Sequence, residues 1–263
     1  MSRIHEKFRE LKRSGRGGLI PFITAGHPDL ATTELLLIEL ANSGADIIEL
    51  GVPFSDPVAD GEVIQRASER ALRNGATVHD ALRCVRNVRQ HTDVPIVLFS
   101  YFNPLLQFAH EGFATAASQA GVDAVLVTDL IPEEAESWTE TLLGSRLDPV
   151  FLAAPTTSEA RLAQIAKRTR GLIYAVSRAG VTGERAEITR DAEILVNRVR
   201  SISDVPVAVG FGISTADQVR AVWRFADAAV VGSAIVSEIE RLSGESNLVN
   251  RIGQFAASLN KPL

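Results

Sequence analysis

Cysteine is nearly absent: Cys84 is the only one in 263 residues, so no disulfide can form within the chain. That usage makes a reducing cytoplasm the expected compartment. The five histidines, at 5, 27, 79, 91 and 110, show no metal-ligand spacing, and one thiol cannot build a thiolate site. Long apolar runs are missing too, which leaves no candidate membrane helix. The opening MSRIHEKFRELKRSGRGG has no apolar core of the kind a secretory signal carries. No G-x-S-x-G nucleophile elbow occurs. Charge is nearly balanced, and a formal net charge of -5 gives no electrostatic footprint for a nucleic-acid partner.

What is present is an apolar, periodic chain, 46% hydrophobic and long enough for one large α/β barrel or two smaller domains. Short β-rich runs recur at 19–24, 46–50, 95–99, 123–128, 148–153, 172–176, 206–210 and 227–231. They are almost continuously apolar, as strands buried on both faces are. Helical periodicity fills the gaps, for instance Leu35, Ile38 and Leu40, or Val219, Val222 and Trp223. Ser158 and Ser214 read as helix starts, the second with Asp217 three residues on. Gly-Ala-Asp at 44–46 and Gly-Val-Asp at 121–123 read as turns, glycine ending a helix and aspartate opening a strand. Eight βα units without a linker-like break predict a single (β/α)8 barrel over 1–263, with a doubly wound open sheet as the alternative. Ile4, Phe8 and Leu11 share one face of an extra N-terminal helix, read as an amphipathic surface helix. The arginines at 66, 70 and 73, and at 83, 86 and 89, read as solvated helix faces. Cys84 reads as a small core residue.

In a barrel the loops that follow the strands build the reacting face. Strand alternation puts Glu49 on one face with Ile47, pointing into the barrel mouth, with Ile48 and Leu50 turned to the helices. Its alternative is a structural carboxylate satisfied by nearby amides. Asp60, in DPVADG, is a second acid or simply turn chemistry, and Asp56, in Ser-Asp-Pro, reads as an exposed turn. The junctions VGFGIST (209–215) and VVGSAIV (230–236) place glycine between strand and helix start after strands seven and eight, where many barrels bind phosphate. The loop 177–191 is a candidate lid.

The run IELGVPFSDPVADG (48–61) resembles the signature segment of the tryptophan synthase α subunit family. PFITAGHPD, VLVTDL, YAVSRAGVTG, VGFGIST and VVGSAIV resemble further family segments in the family's order, so the resemblance spans essentially the whole chain. It implies a (β/α)8 barrel that cleaves indole-3-glycerol phosphate to indole and glyceraldehyde 3-phosphate. It also implies a pyridoxal-phosphate-dependent β subunit as partner, in an α2β2 assembly that passes indole through a tunnel. No metal or cofactor is implied for this chain. By motif, Glu49, Asp60 and Tyr174 match catalytic positions. Gly183, Gly212, Gly232 and Ser233 match the phosphate site, and Phe22, Ile64, Leu126, Thr182 and Phe211 the indole pocket. Asp56 and Asn103 match the partner surface. His27, Glu62-Val63 and part of 99–108 depart from the family pattern; Tyr101 and Asn103 are kept in the last of these. The departures bear on partner affinity more than on chemistry. A stand-alone indole-3-glycerol phosphate lyase, a non-catalytic regulatory barrel and another sugar-phosphate barrel are the competing readings.

Overall fold

Eight parallel strands pair in chain order and close on themselves, the eighth against the first. The structure is a computed structural model, and it describes residues 2–108, 112–176, 185–210 and 212–260. The strands are β1 (Gly18–Thr24), β2 (Ile48–Gly51), β3 (Ile96–Ser100), β4 (Ala124–Val127), β5 (Asp148–Ala153), β6 (Ile173–Val176), β7 (Val207–Gly210) and β8 (Ala228–Val231). Each matches a predicted run to within two residues at its ends. A helix α1 (Arg3–Ser14) precedes them. The connecting helices are α2 (Leu30–Asn42), α3 (Glu62–Arg73), α4 (Val78–Val88), α5 (Phe102–Gln107), α6 (Phe113–Ala120), α7 (Glu136–Gly144), α8 (Glu159–Arg168), α9 (Arg185–Arg200) and α10 (Ala216–Trp223); α11 (Ser233–Leu242) and α12 (Leu248–Leu259) follow β8. This is the expected (β/α)8 barrel and not an open sheet.

Alternation along the strands sorts the core into two layers. Ile20, Ile47, Val97, Ala124, Val150, Leu172, Ala208 and Ala228 fill the barrel interior. Ile48, Leu50, Leu98 and Val125 face outward and pack with the helices. The N-terminal helix is more than a surface element. Ile4, Phe8 and Leu11 belong to the interior cluster, so α1 lays its apolar face across the barrel's lower end while Arg9, Lys12 and Arg13 stay in water. Burying three large side chains outweighs leaving them exposed by about 1.5–3 kcal/mol each.

The aspartates that open strands have a repeated task. Asp46 accepts from the Leu19 amide at 2.9 Å, Asp123 from Ile96 at 2.8 Å and Asp227 from Val207 at 2.8 Å. Each thus completes the ladder at the foot of the preceding strand, giving an N–H there an acceptor. The glycine two residues before Asp46 and Asp123 has a φ of +93°, which only glycine adopts without strain. Arginines close this girdle. Arg16 forks onto both oxygens of Asp46 at 2.6 and 2.9 Å, and Asp123 takes Arg3 at 2.9 Å and Arg89 at 2.8 Å.

Several expectations change. Arg89 is not on a solvated face: its guanidinium is buried against the carbonyls of Gly121 and Val94 as well as Asp123. Leu35 is 54% exposed, and α2 buries Leu36, Leu37 and Leu40 instead. The N-cap of α10 is Thr215, one residue later than predicted, because Gln218 lies three residues beyond it and closes a reciprocal capping box. The segment read as a loop over 177–191 is helical from Arg185, and 177–184 lie outside the described residues.

Candidate active site

Glu49 stands near the end of β2, in register with Phe22 of β1 and Val97 of β3. Its partner in alternation, Ile47, is in the interior cluster, so the carboxyl points into the barrel as predicted. The residue is 1% exposed, and among the described residues Oε1 has no hydrogen-bond partner. A structural carboxylate held by amides finds no support at that oxygen. Among the described residues no cation stands alongside, and burial pushes the acid's pKa up to about 8. At neutral pH the side chain is a proton donor, and a modest rise in pH makes it a base.

Asp60 hangs from the loop between β2 and α3, which turns on bonds from Val58 N–H to the Asp56 carbonyl and from Asp60 N–H to the Pro57 carbonyl. Its Oδ2 accepts the Tyr101 hydroxyl at 3.2 Å. Burial raises the Asp60 pKa to about 6, and the Tyr101 bond pulls the other way. The polar sequence context suggested an ordinary carboxylate. Instead Asp60 is half-buried on a largely exposed loop, and it is ionised at neutral pH by a narrow margin.

Tyr101 itself belongs to the site. It follows β3, is 2% exposed and lies with its ring centroid 5.0 Å from that of Phe54. The sequence reading grouped it with Asn103 near the partner surface. The structure separates the two, since Asn103 is exposed on α5. The available signal was its place directly after a strand on the reacting face.

Tyr174 of β6 completes the polar set. Burial raises its pKa well above the usual phenol range, with the nearby charges of Glu49 and then Asp60 adding to the effect. Its ring fits against Gly210 of β7, where a Cβ would come within 2.0 Å of the hydroxyl oxygen, so glycine at 210 is a steric requirement. Apolar walls surround these groups. Phe22 and Phe99 meet edge to face at 5.4 Å, Ile64 of α3 packs beside them and Leu126 lines the interior from β4. Phe99 was missed in the sequence, although it pairs with Leu126 in register.

The two glycine junctions are not equivalent. After β8, Gly232 caps α11 without any side-chain bond, and its carbonyl takes the amides of Ile235 and Val236. The Ser233 and Ala234 N–H groups have no intrahelical acceptor and carry the positive end of the helix dipole. After β7, Gln218 already accepts from the Ser214 and Thr215 amides, so that helix start is self-satisfied. Gly212, at φ +73°, is the part of this junction left open. Gly183, Thr182 and Phe211 lie outside the described residues.

Other named residues fall away from the mouth's interior. Asp56 is exposed on the loop. Cys84 is buried in α4, with its pKa pushed up to about 12, and is no nucleophile. His27 is 2% exposed, and burial lowers its pKa to about 4, so it is a neutral core group. Among the described residues no cluster could hold a metal ion, and no helix is long and apolar enough to cross a membrane.

Comparison with known proteins gives the family. The family model described as tryptophan synthase alpha chain matches residues 8–262. The tryptophan synthase alpha chain of Geobacter sulfurreducens is 49% identical over 263 residues, covering 100% of this chain and 99% of the relative. That of Citrifermentans bemidjiense is 48% identical over 261 residues, 99% of this chain and 97% of the relative. The crystal structure of tryptophan synthase subunit alpha from Legionella pneumophila superposes with a TM-score of 0.91 at 36% identity, covering 99% of this chain and 97% of that one. With a family match over residues 8–262 and relatives alike from end to end, the chain belongs to the tryptophan synthase alpha chain family.

Proposed function

We infer that this chain, acting as one barrel domain in the cytoplasm, cleaves indole-3-glycerol phosphate to indole and glyceraldehyde 3-phosphate. The observation that carries the reading is a pair of carboxyls with separated proton affinities at one mouth, about 8 for Glu49 and about 6 for Asp60. Near pH 7 the first is an acid and the second a base, as a retro-aldol cleavage of an indole needs. Glu49 donates its proton to indole carbon 3 and assists loss of the proton from the hydroxyl on the adjoining glycerol carbon. The bond between those carbons then breaks, its electron pair returns to the indole ring and an aldehyde forms. Asp60 accepts a hydrogen bond from the indole N–H and stabilises the positive charge that develops there. Tyr174 packs beside the reacting centre. A positioned proton donor is worth about 10²–10⁴-fold in rate. The indole ring itself takes up the electrons, so the reaction calls for no metal or organic cofactor.

Phe22, Ile64 and Leu126, with Phe211 and Thr182, clasp the indole. Gly212, Gly232 and Ser233, with Gly183, hold the phosphate. Ser233→Asp tests the phosphate assignment cleanly. An acidic residue suits the first turn of a helix, so α11 stays intact, while its charge repels the substrate's phosphate. KM rises about tenfold or more, kcat changes less, and thermal stability is unaltered; an unchanged KM removes Ser233 from the phosphate site.

The indole product passes to a tryptophan synthase β subunit in an α2β2 assembly, and Asp56 and Asn103 lie on the surface that meets it. The deciding experiment is indole release from indole-3-glycerol phosphate as a function of pH, with and without a β subunit. The rate rises as Asp60 ionises through about pH 6 and falls as Glu49 loses its proton through about pH 8. Turnover that the β subunit stimulates supports the assembly. High turnover without any stimulation points to the stand-alone lyase, and none under either condition overturns the reaction.

A further inference from the structure

The Tyr101 hydroxyl has one proton to give, and its surroundings decide where it goes. The Ala59 amide donates to the Tyr101 oxygen at 2.9 Å, filling an acceptor position. The hydroxyl proton then points to Asp60 Oδ2 at 3.2 Å. Ala59 and Asp60 are adjacent on the same loop, so one phenol grips both the backbone and the side chain of the segment that carries the acid. Phe54, from the start of that loop, lies against the ring, and Tyr101 is itself the N-cap residue of α5.

We propose that Tyr101 is a positioning residue for the reaction: a one-way relay, from the Ala59 amide through Tyr101 to Asp60, aims Oδ2 and keeps this carboxylate a hydrogen-bond acceptor. The relay deepens the cleavage reading and rests on it. A backbone N–H cannot reverse its role, so the phenol cannot turn around without stranding a donor. Charge alone does not provide this hold. Glu49 and Asp60 both bear on Tyr174 at the mouth, Asp56 and Glu62 flank Asp60 on the loop and α3, and Thr128 of the β4 connection reaches the Tyr101 oxygen. Among the described residues no cation lowers the proton affinity of Asp60, and the one stabilising influence on its anion is the Tyr101 bond. Hydrogen bonds to charged groups are the stronger kind.

The test is Tyr101→Phe in the full chain, read by carbon-13 NMR of the aspartate carboxyls, with Asp60→Asn assigning the resonance. The Asp60 titration midpoint moves up by about one pH unit. In the indole assay kcat falls about tenfold to a hundredfold, and the acid limb of the pH profile moves up by the same step. A midpoint that stays put in a folded Tyr101→Phe protein overturns the relay. Should that variant fail to fold, replacing the chain's two tyrosines by 3-fluorotyrosine keeps the shape and strengthens the donor. The Asp60 midpoint then falls if the relay exists and is unmoved if Tyr101 only packs. The NMR titration needs no turnover. A wild-type chain that releases no indole therefore defeats the cleavage reading and leaves the relay to be decided on its own.

Discussion

Glu49→Gln stops indole release, by about a thousandfold or more in kcat, while substrate still binds. Glutamine keeps the size and the hydrogen-bonding shape of the acid but has no proton to transfer at carbon 3. Binding survives on the proposed reading, which puts the phosphate and indole contacts on other residues, so KM or a direct Kd changes little. Near-normal turnover in this variant sinks the assignment. The same substitution has a signature in stability. A carboxyl whose folded pKa is raised from 4.5 to about 8 favours the fold below the lower value. That contribution is lost as pH rises through 8, because the charged form is the one the barrel disfavours. The wild type therefore carries a stability cost at high pH that glutamine does not. Thermal unfolding of the two proteins coincides near pH 4, and Glu49→Gln melts higher at pH 9, by an amount on the order of a few kcal/mol. A curve for the variant that lies below the wild type at pH 9 contradicts the burial-raised pKa of this acid.

Asp123→Ala gives the largest effect on stability. Asp123 is 5% exposed and holds three donors at once: the Ile96 amide, Arg3 and Arg89. Alanine leaves the Ile96 amide without its acceptor and the Arg89 guanidinium, still bonded to the Gly121 and Val94 carbonyls, without its counter-charge. Removing one partner of a buried ion pair costs about 3–5 kcal/mol. For a chain of this size that lowers Tm by about 10 °C. The activity of protein that remains folded is unaffected, since Asp123 lies at the foot of β4 and the reacting groups at the opposite end. Arg89→Ala combined with Asp123→Ala costs less than the sum of the two, because the second change removes a charge the first has stranded. A fall in Tm below about 2 °C for Asp123→Ala shows that water replaces the carboxylate.

Much of this molecule is legible in its residues. The eight strands stand out because burial on both faces makes them apolar throughout, and Glu49 is conspicuous as the acid that interrupts one of them. Parity along β2 was enough to turn it inward. What sequence could not yield depends on contacts between distant segments. Tyr101 meets Asp60 across 41 positions, and Arg89 meets Asp123 across 34, so neither pairing leaves a local pattern. Arg89 shares its helical spacing with arginines that do face water. The Thr215 cap was missed by one residue because Ser214 and Thr215 are both competent, and Gln218 decides between them through its reach. The resemblance supplied the roles of the two carboxyls; the local residues alone left Asp60 indistinguishable from an ordinary turn.

The aspartate girdle has a consequence for how such a protein can change over generations. Asp46, Asp123 and Asp227 hold the feet of β1, β3 and β7 from below, with no help from the loops above. Substitutions at the mouth that alter which phosphorylated molecule fits, or that add an unfavourable acid, leave those anchors as they were. The frame and the reacting face are thus held by different residues, and a change at one end does not remove the bonds of the other.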